Sequence, residues 1–141
     1  MAAKTISLQF KGYRRDKNRD GIPDESGIYL VYTCTYNPEP DTVTLHRLIY
    51  IGESAEVGKR IRNHPLRPTW QKYLGQGEEL CYSFALVANP DRERGEAALI
   101  FYKKPPVNEE YKDSFPYDQT TMKCTGMCEF IPASFTVERT E

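Results

Sequence analysis

Two runs of the chain admit few arrangements. Gly27-Ile-Tyr-Leu-Val-Tyr-Thr-Cys-Thr35 is dense in β-branched and aromatic residues, and Thr42 to Ile51 returns to the same character after Asn37-Pro-Glu-Pro-Asp41, which can only be a loop. Two strands so closely spaced predict a long antiparallel hairpin, ended by Gly52. Strand alternation then allows Tyr29 and Tyr50 onto one face, each close to a glycine that lets another backbone, or a substrate, approach.

The remaining elements follow from periodicity and breakers. Residues 5 to 10 suit a short strand, and Lys11 to Glu25 suits a polar connector closing in Asp20-Gly-Ile-Pro-Asp24. Ser54 can cap a helix running to about His64, and Pro65 and Pro68 interrupt the chain before a short helix carrying Trp70, Tyr73 and Leu74. Leu80 to Val87 reads as a third strand. Asn89-Pro90-Asp91 has a capping residue, a proline and an acid in helix-starting order, and predicts a helix through about Lys103, stopped by Pro105-Pro106. The tail is turn-rich, with a last strand near Ser134 to Val137. The expected fold class is α/β (α+β): a small, mainly antiparallel three-stranded sheet flanked by helices. At 141 residues one domain is expected, organised as an N-terminal strand and basic connector (1–26), a central unit (27–110) and a C-terminal extension packed on it (111–141).

Bulk charge does not advertise a nucleic-acid partner, since 19 Lys+Arg balance 20 Asp+Glu. Distribution says more. Val57 to Gly77 holds Lys59, Arg60, Arg62, Arg67 and Lys72 with no acid, so a local positive face is available, and Arg14 and Arg15 add basic groups that could track phosphates beside a cleft. The opening MAAKTISLQFKGYRR carries no long apolar run, and no later stretch is apolar enough to span a bilayer, so a soluble, cytoplasmic chain is expected. Cys34, Cys81, Cys124 and Cys128 are too irregular for a disulfide framework; free thiols are expected, two of them buried.

The helix after Gly52 carries the chemistry. Positions 57, 60, 61 and 64 share one face, so Arg60 and His64 lie on a stripe with Val57 and Ile61. In the later helix Glu96 shares a stripe with Leu99 and Ile100. Buried charges are costly unless paired, which leaves two readings: an Arg60–Glu96 salt bridge joining two helices, or an open cleft in which both face a ligand. Tyrosines, an arginine, a histidine and one carboxylate on a sheet-and-helix face suit phosphodiester chemistry, the carboxylate holding a divalent cation and the arginine neutralising charge on phosphorus.

These residues resemble the GIY-YIG nucleases. Gly27-Ile28-Tyr29 matches the first signature triplet and Tyr50-Ile51-Gly52 the second; Arg60 and His64 follow at the spacing of that family's arginine and frequent histidine, and Glu96 and Asn108 match its metal-binding glutamate and supporting asparagine. The resemblance covers about residues 27 to 108. The two triplets stand 21 residues apart, more like the restriction-endonuclease branch, and Glu56-Val57 replaces the usual Asn-Leu. The resemblance implies a GIY-YIG-type fold and a metal-dependent DNA endonuclease in which Glu96 binds Mg²⁺ or Mn²⁺, Arg60 offsets transition-state charge, Tyr29 or Tyr50 deprotonates or positions water, and Asn108 orients substrate or supporting groups. His64, Arg60 and the metal would supply the cations that a tyrosine base needs at neutral pH. A homodimer or an accessory targeting protein would select the site of cutting.

The rival from another class is a nucleic-acid-binding module with the same fold that does not cut. A second is a structural domain stabilised by calcium at Asp16 to Asp24, where oxygens alternate before a glycine but Gly27 stands where an EF-hand needs glutamate. Trp70, Tyr73 and Leu74 are expected in the core rather than as a base-stacking platform, His46 is expected to be structural, and Cys124 and Cys128 lack further zinc ligands.

Overall fold

In a computed structural model, which describes residues 2–140, β1 spans Lys4–Arg15 and leads through a 3₁₀ turn at Asp16–Gly21 into the hairpin of β2 (Gly27–Asn37) and β3 (Thr42–Ser54). Two short helices follow, α1 (Val57–Arg62) and α2 (Arg67–Gln71). Then come β4 (Glu79–Leu86), the longer helix α3 (Asp91–Lys103), β5 (Thr120–Gly126) and β6 (Ser134–Val137). The six strands form one sheet in the order β3-β2-β4-β1-β5-β6.

The expected three-stranded sheet flanked by helices is therefore incorrect: the sheet is six-stranded, mixed and curled into a half-barrel, with few helices. The cause is β1. Its first half pairs in parallel with β5, Lys4 to Phe10 against Thr120 to Gly126, and its second half pairs antiparallel with β4, Lys11 to Arg15 against Phe84 to Cys81, with the register slipping between Gly12 and Arg14. One strand is thus shared between two neighbours along its length, and the irregularity at the handover bends the sheet. The segment Lys11 to Arg15 resembles a solvated connector in sequence because one backbone edge supplies its pairing while its charged side chains stay largely outside.

Residues Gly27 to Cys34 of β2 are buried without exception, so this strand has a layer on each face. Ile28, Leu30 and Cys34 face a core shared with Ile6, Ile51, Ala97, Leu99 and Phe135; Tyr29 and Val31 face a second core with Ile49, Val57, Ile61, Trp70 and Tyr82. All four cysteines are buried and unbridged, where only two were expected inside. Among the described residues no helix is long and apolar enough to cross a membrane.

Polar side chains fasten the edges of these layers. Arg94, only 6% exposed, donates to Thr120 Oγ1 at 2.8 Å and to the carbonyl oxygens of Ala2, Asp118 and Gln119 at 2.9 to 3.1 Å, joining α3 to the start of β5 and the N-terminal segment. Tyr82 donates to Asp16 Oδ1 at 2.5 Å, and Arg67 pairs with Asp16 and donates to the Tyr82 hydroxyl at 3.2 Å, which ties the 3₁₀ turn, α2 and β4 together. Removing the Arg94 guanidinium breaks four hydrogen bonds at once. Arg94→Met is expected to lower unfolding free energy in urea by about 3 kcal/mol, whereas Lys59→Ala, which breaks an exposed pair with Glu56, should change it by less than about 0.5 kcal/mol.

Candidate active site

The hairpin register sets Tyr29 opposite Gly52 and Val31 opposite Tyr50, so the two tyrosines are diagonal neighbours on one face, with ring centroids 6.3 Å apart. Gly52 is required: a Cβ there would lie 2.4 Å from the Tyr29 hydroxyl and 2.3 Å from Cζ, so any side chain would displace the ring. At Gly27 the obstacle is backbone, since a Cβ would meet the Ala85 carbonyl oxygen at 2.4 Å. Each signature glycine thus allows a close approach across the sheet.

Asn108 completes the edge of β3. Its Oδ1 accepts from the Ile51 N–H at 3.0 Å and its Nδ2 donates to the Ile51 carbonyl at 2.8 Å, while the Val107 N–H donates to the Ile49 carbonyl at 3.1 Å. The side-chain amide imitates a strand partner on the main chain between Tyr50 and Gly52. Asn108 therefore positions the second triplet.

The helix after Gly52 departs from the expected span. It ends at Arg62 rather than His64, because Pro65 disfavours a helical backbone at the residue before it. Val57 and Ile61 face the core as expected; Arg60 is exposed overall and stands with Ser54, Glu56, Lys59 and Asn63 around a shallow depression of about 250 Å³, its charge still close enough to act on Tyr29, Tyr50 and His64. His64, released from the helix, is buried against Trp70 at 4.5 Å and Tyr50 at 5.3 Å between centroids.

Glu96 does not meet Arg60: no ion pair among the described residues includes either one. Its carboxylate lines a cleft of about 620 Å³, together with Tyr50, Asn108 and residues of α2 and the segment after α3. Burial, then repulsion from Glu53, Glu110 and Glu93, pushes its pKa up to about 8, with Arg92 opposing. Glu53, Arg92 and Glu110 were missed by the sequence reading, although Glu53 directly follows Gly52 and Arg92 lies one helical turn before Glu96. Arg92 Nε contacts Glu53 Oε1 at 2.6 Å and its Nη1 donates to Ser26 Oγ at 3.0 Å, so its charge is already engaged.

The basic residues separate in the same way. Arg15 grips Glu79 with two hydrogen bonds of 2.8 and 2.9 Å and lies over the Tyr36 ring; Arg62 holds Asp24 at 3.0 Å; Arg67 belongs to the Asp16 and Tyr82 network. Arg14 and Lys72 are exposed and in no ion pair among the described residues, and Lys59 reaches Glu56 only at 3.9 Å. Arg14 and Arg15 line a separate depression with Tyr36 and Val43, beyond the level of the tyrosine pair along the sheet. Asp16 and Asp24, the ends of the calcium-like loop, are occupied by arginines. His46 bonds Thr35 Oγ1 at 2.7 Å.

Protonation limits what the cluster can do. His64 Nδ1 accepts from the Leu66 N–H at 3.0 Å, placing the proton on Nε2, which finds no partner. Burial and then the Arg60 charge push its pKa down to about 4, so His64 is neutral at pH 7 and does not supply the positive charge expected of it. Burial raises the pKa of Tyr29 well above the usual value and raises that of Tyr50 as well, with Arg60 opposing in both, so both are neutral phenols. Tyr29 is wholly buried; Tyr50 reaches the cleft.

The raised pKa of Glu96 gives a metal-free test. Between about pH 4.5 and pH 8 the folded chain retains a proton that the unfolded chain has lost, so wild-type stability falls as pH rises through that window. In EDTA, the stability of Glu96→Gln relative to wild type should therefore grow by roughly 4 kcal/mol from pH 4.5 to pH 8.5 and level off above it, as read by urea denaturation. Among known proteins, no family model, no curated sequence and no solved structure matches this chain.

Proposed function

We propose that this protein is a metal-dependent endonuclease hydrolysing DNA phosphodiester bonds through a GIY-YIG active site. The observation that carries the reading is the separation of Glu96 from Arg60: a carboxylate on the wall of a cleft beside Tyr50, and an arginine outside it, neither in an ion pair among the described residues. In an arbitrary protein such groups would pair; a phosphodiester and a cation would complete both.

The donor set fits a hard divalent ion that retains water. Among the described residues no group of three or more His, Cys, Asp or Glu side chains could hold a metal, so Glu96 would be the protein ligand and water and substrate oxygens the others, as suits Mg²⁺ or Mn²⁺. Such an ion would supply Lewis-acid stabilisation of the leaving 3′ oxygen. Arg60, free of a carboxylate partner, binds the non-bridging phosphate oxygens as their charge grows. Tyr50 meets the attacking water in the cleft, with its ring held by His64 and Trp70 and the main chain of the next residue, Ile51, held by Asn108. Tyr29, behind it, is a buried neutral phenol that sets the position of Tyr50.

Because Tyr50 is protonated at neutral pH, its service as base requires prior loss of that proton. At saturating Mg²⁺, kcat/KM should rise about tenfold per pH unit from pH 7 to 9, and Tyr50→Phe should cut it at least about a hundredfold and abolish that slope. Glu96→Gln is expected to eliminate Mg²⁺-dependent nicking of supercoiled plasmid while retaining the wild-type circular dichroism spectrum. Full nicking by Glu96→Gln would overturn the assignment, and salt-sensitive DNA binding with no cutting by the wild type would favour a binding module instead.

A further inference from the structure

The cleft is larger than hydrolysis of a phosphodiester requires. Its 620 Å³ falls within the roughly 300–1,000 Å³ of small-ligand clefts. It runs from Glu96 past Tyr50 to Leu66, Thr69 and Tyr73 on one side and to Glu109, Glu110 and Tyr111 on the other. No lysine or arginine lines it, although α1 and α2 carry Lys59, Arg60, Arg62 and Arg67. The phosphate-attracting groups, Lys59 and Arg60, lie instead around the separate depression over α1. The long cleft thus offers phenol rings, an aliphatic surface and carboxylate acceptors, and no side-chain cation of its own.

That chemistry matches a nucleobase. A base is flat and uncharged, stacks on aromatic rings irrespective of sequence, and when unpaired presents N–H donors, on an amino group or a ring nitrogen, to carboxylate acceptors. Within the trio Trp70, Tyr73 and Leu74, expected in the core, the structure draws a distinction: Trp70 is fully buried, whereas Tyr73 is half-buried and faces the cleft, its ring held by packing on the core around Trp70, with the Arg47 guanidinium 5.2 Å from its centroid. A ring so held is preorganised for stacking.

We infer that the cleft between α2 and the segment after α3 is a subsite for one unpaired DNA base next to the phosphate under attack, with Tyr73 as its stacking platform. The inference rests on the nuclease reading for the identity of the ligand. A base in continuous duplex is stacked and paired and does not enter; one in a bulge or a single strand does.

The test separates the base from its backbone. Fluorescence anisotropy in EDTA would compare a duplex carrying a single-nucleotide bulge with the same duplex carrying an abasic bulge. The wild type should bind the base-containing bulge about tenfold or more tighter, and Tyr73→Ala should abolish the difference while leaving abasic affinity unchanged, with Tyr73→Phe retaining it. With 2-aminopurine as the bulged base, its fluorescence should be quenched on binding wild type, a readout that does not depend on a variant folding. Equal affinity of the wild type for the two bulges, unquenched 2-aminopurine, or an equal loss on both bulges in Tyr73→Ala would each overturn the inference. Base preference without Mg²⁺-dependent cutting would sustain the subsite and remove the nuclease reading; cutting without base preference would do the reverse.

Discussion

The rest of the structure depends on β2 having no exposed face. A strand buried from Gly27 to Cys34 needs apolar cover above and below, and a chain of this size meets that need only by recruiting its distant segments. One face takes α3 and the C-terminal strands; the other takes α1, α2 and the Trp70 aromatic group. Burial of Tyr29 follows from this, since its position on the second face leaves the ring nowhere to go but across Gly52. The chemistry of the phenol, neutral and held in place, is a consequence of sheet layering before it is a feature of a site.

The same layering keeps opposite charges apart. Arg60 and Glu96 lie on helices packed against different parts of the hairpin, and the nearby cation that could have neutralised Glu96, Arg92, is engaged by Glu53 and Ser26. Glu96 is left among other carboxylates, where burial and repulsion disfavour its ionised form. Such a local electrostatic cost is a feature that binding and reacting groups share with structural charge clusters, and an incoming cation would relieve it.

What the sequence disclosed and what it hid divide along physical lines. The hairpin was legible because β-branched runs flank a proline-rich loop, and α3 was legible because Asn89, Pro90 and Asp91 stand in starting order; Asn89 indeed accepts from the Glu93 N–H at 3.0 Å. β5 and the second half of β1 were not, because Thr120-Thr-Met-Lys-Cys-Thr-Gly126 and Lys11-Gly-Tyr-Arg-Arg15 are strands by virtue of partners remote in sequence, which no local pattern records. The helix end at Arg62 rather than His64 was hidden because the spacing of apolar and charged residues does not record where Pro65 stops the helix. Asn108 was legible as part of a constellation, but its bond to the Ile51 main chain, which makes it a structural clamp, depends on a loop path that composition does not specify.

The walls of the cleft are fastened through different partners. α2, carrying Trp70 and leading into Tyr73, is held through Arg67 to Asp16 at the start of the 3₁₀ turn and to Tyr82 on β4. The opposite wall, from Val107 to Tyr111, is held through Asn108 and Val107 to the edge of β3. Neither fastening runs through the residues that would act on substrate. The width of the cleft is therefore fixed by the sheet, and Tyr50, rooted on β3 between the two walls, is presented at a depth set by main-chain hydrogen bonds rather than by its own flexible contacts. Such rigidity favours a site that takes up one flat group in one orientation, and it places the burden of selectivity on the shape of the cleft and not on movement of its walls.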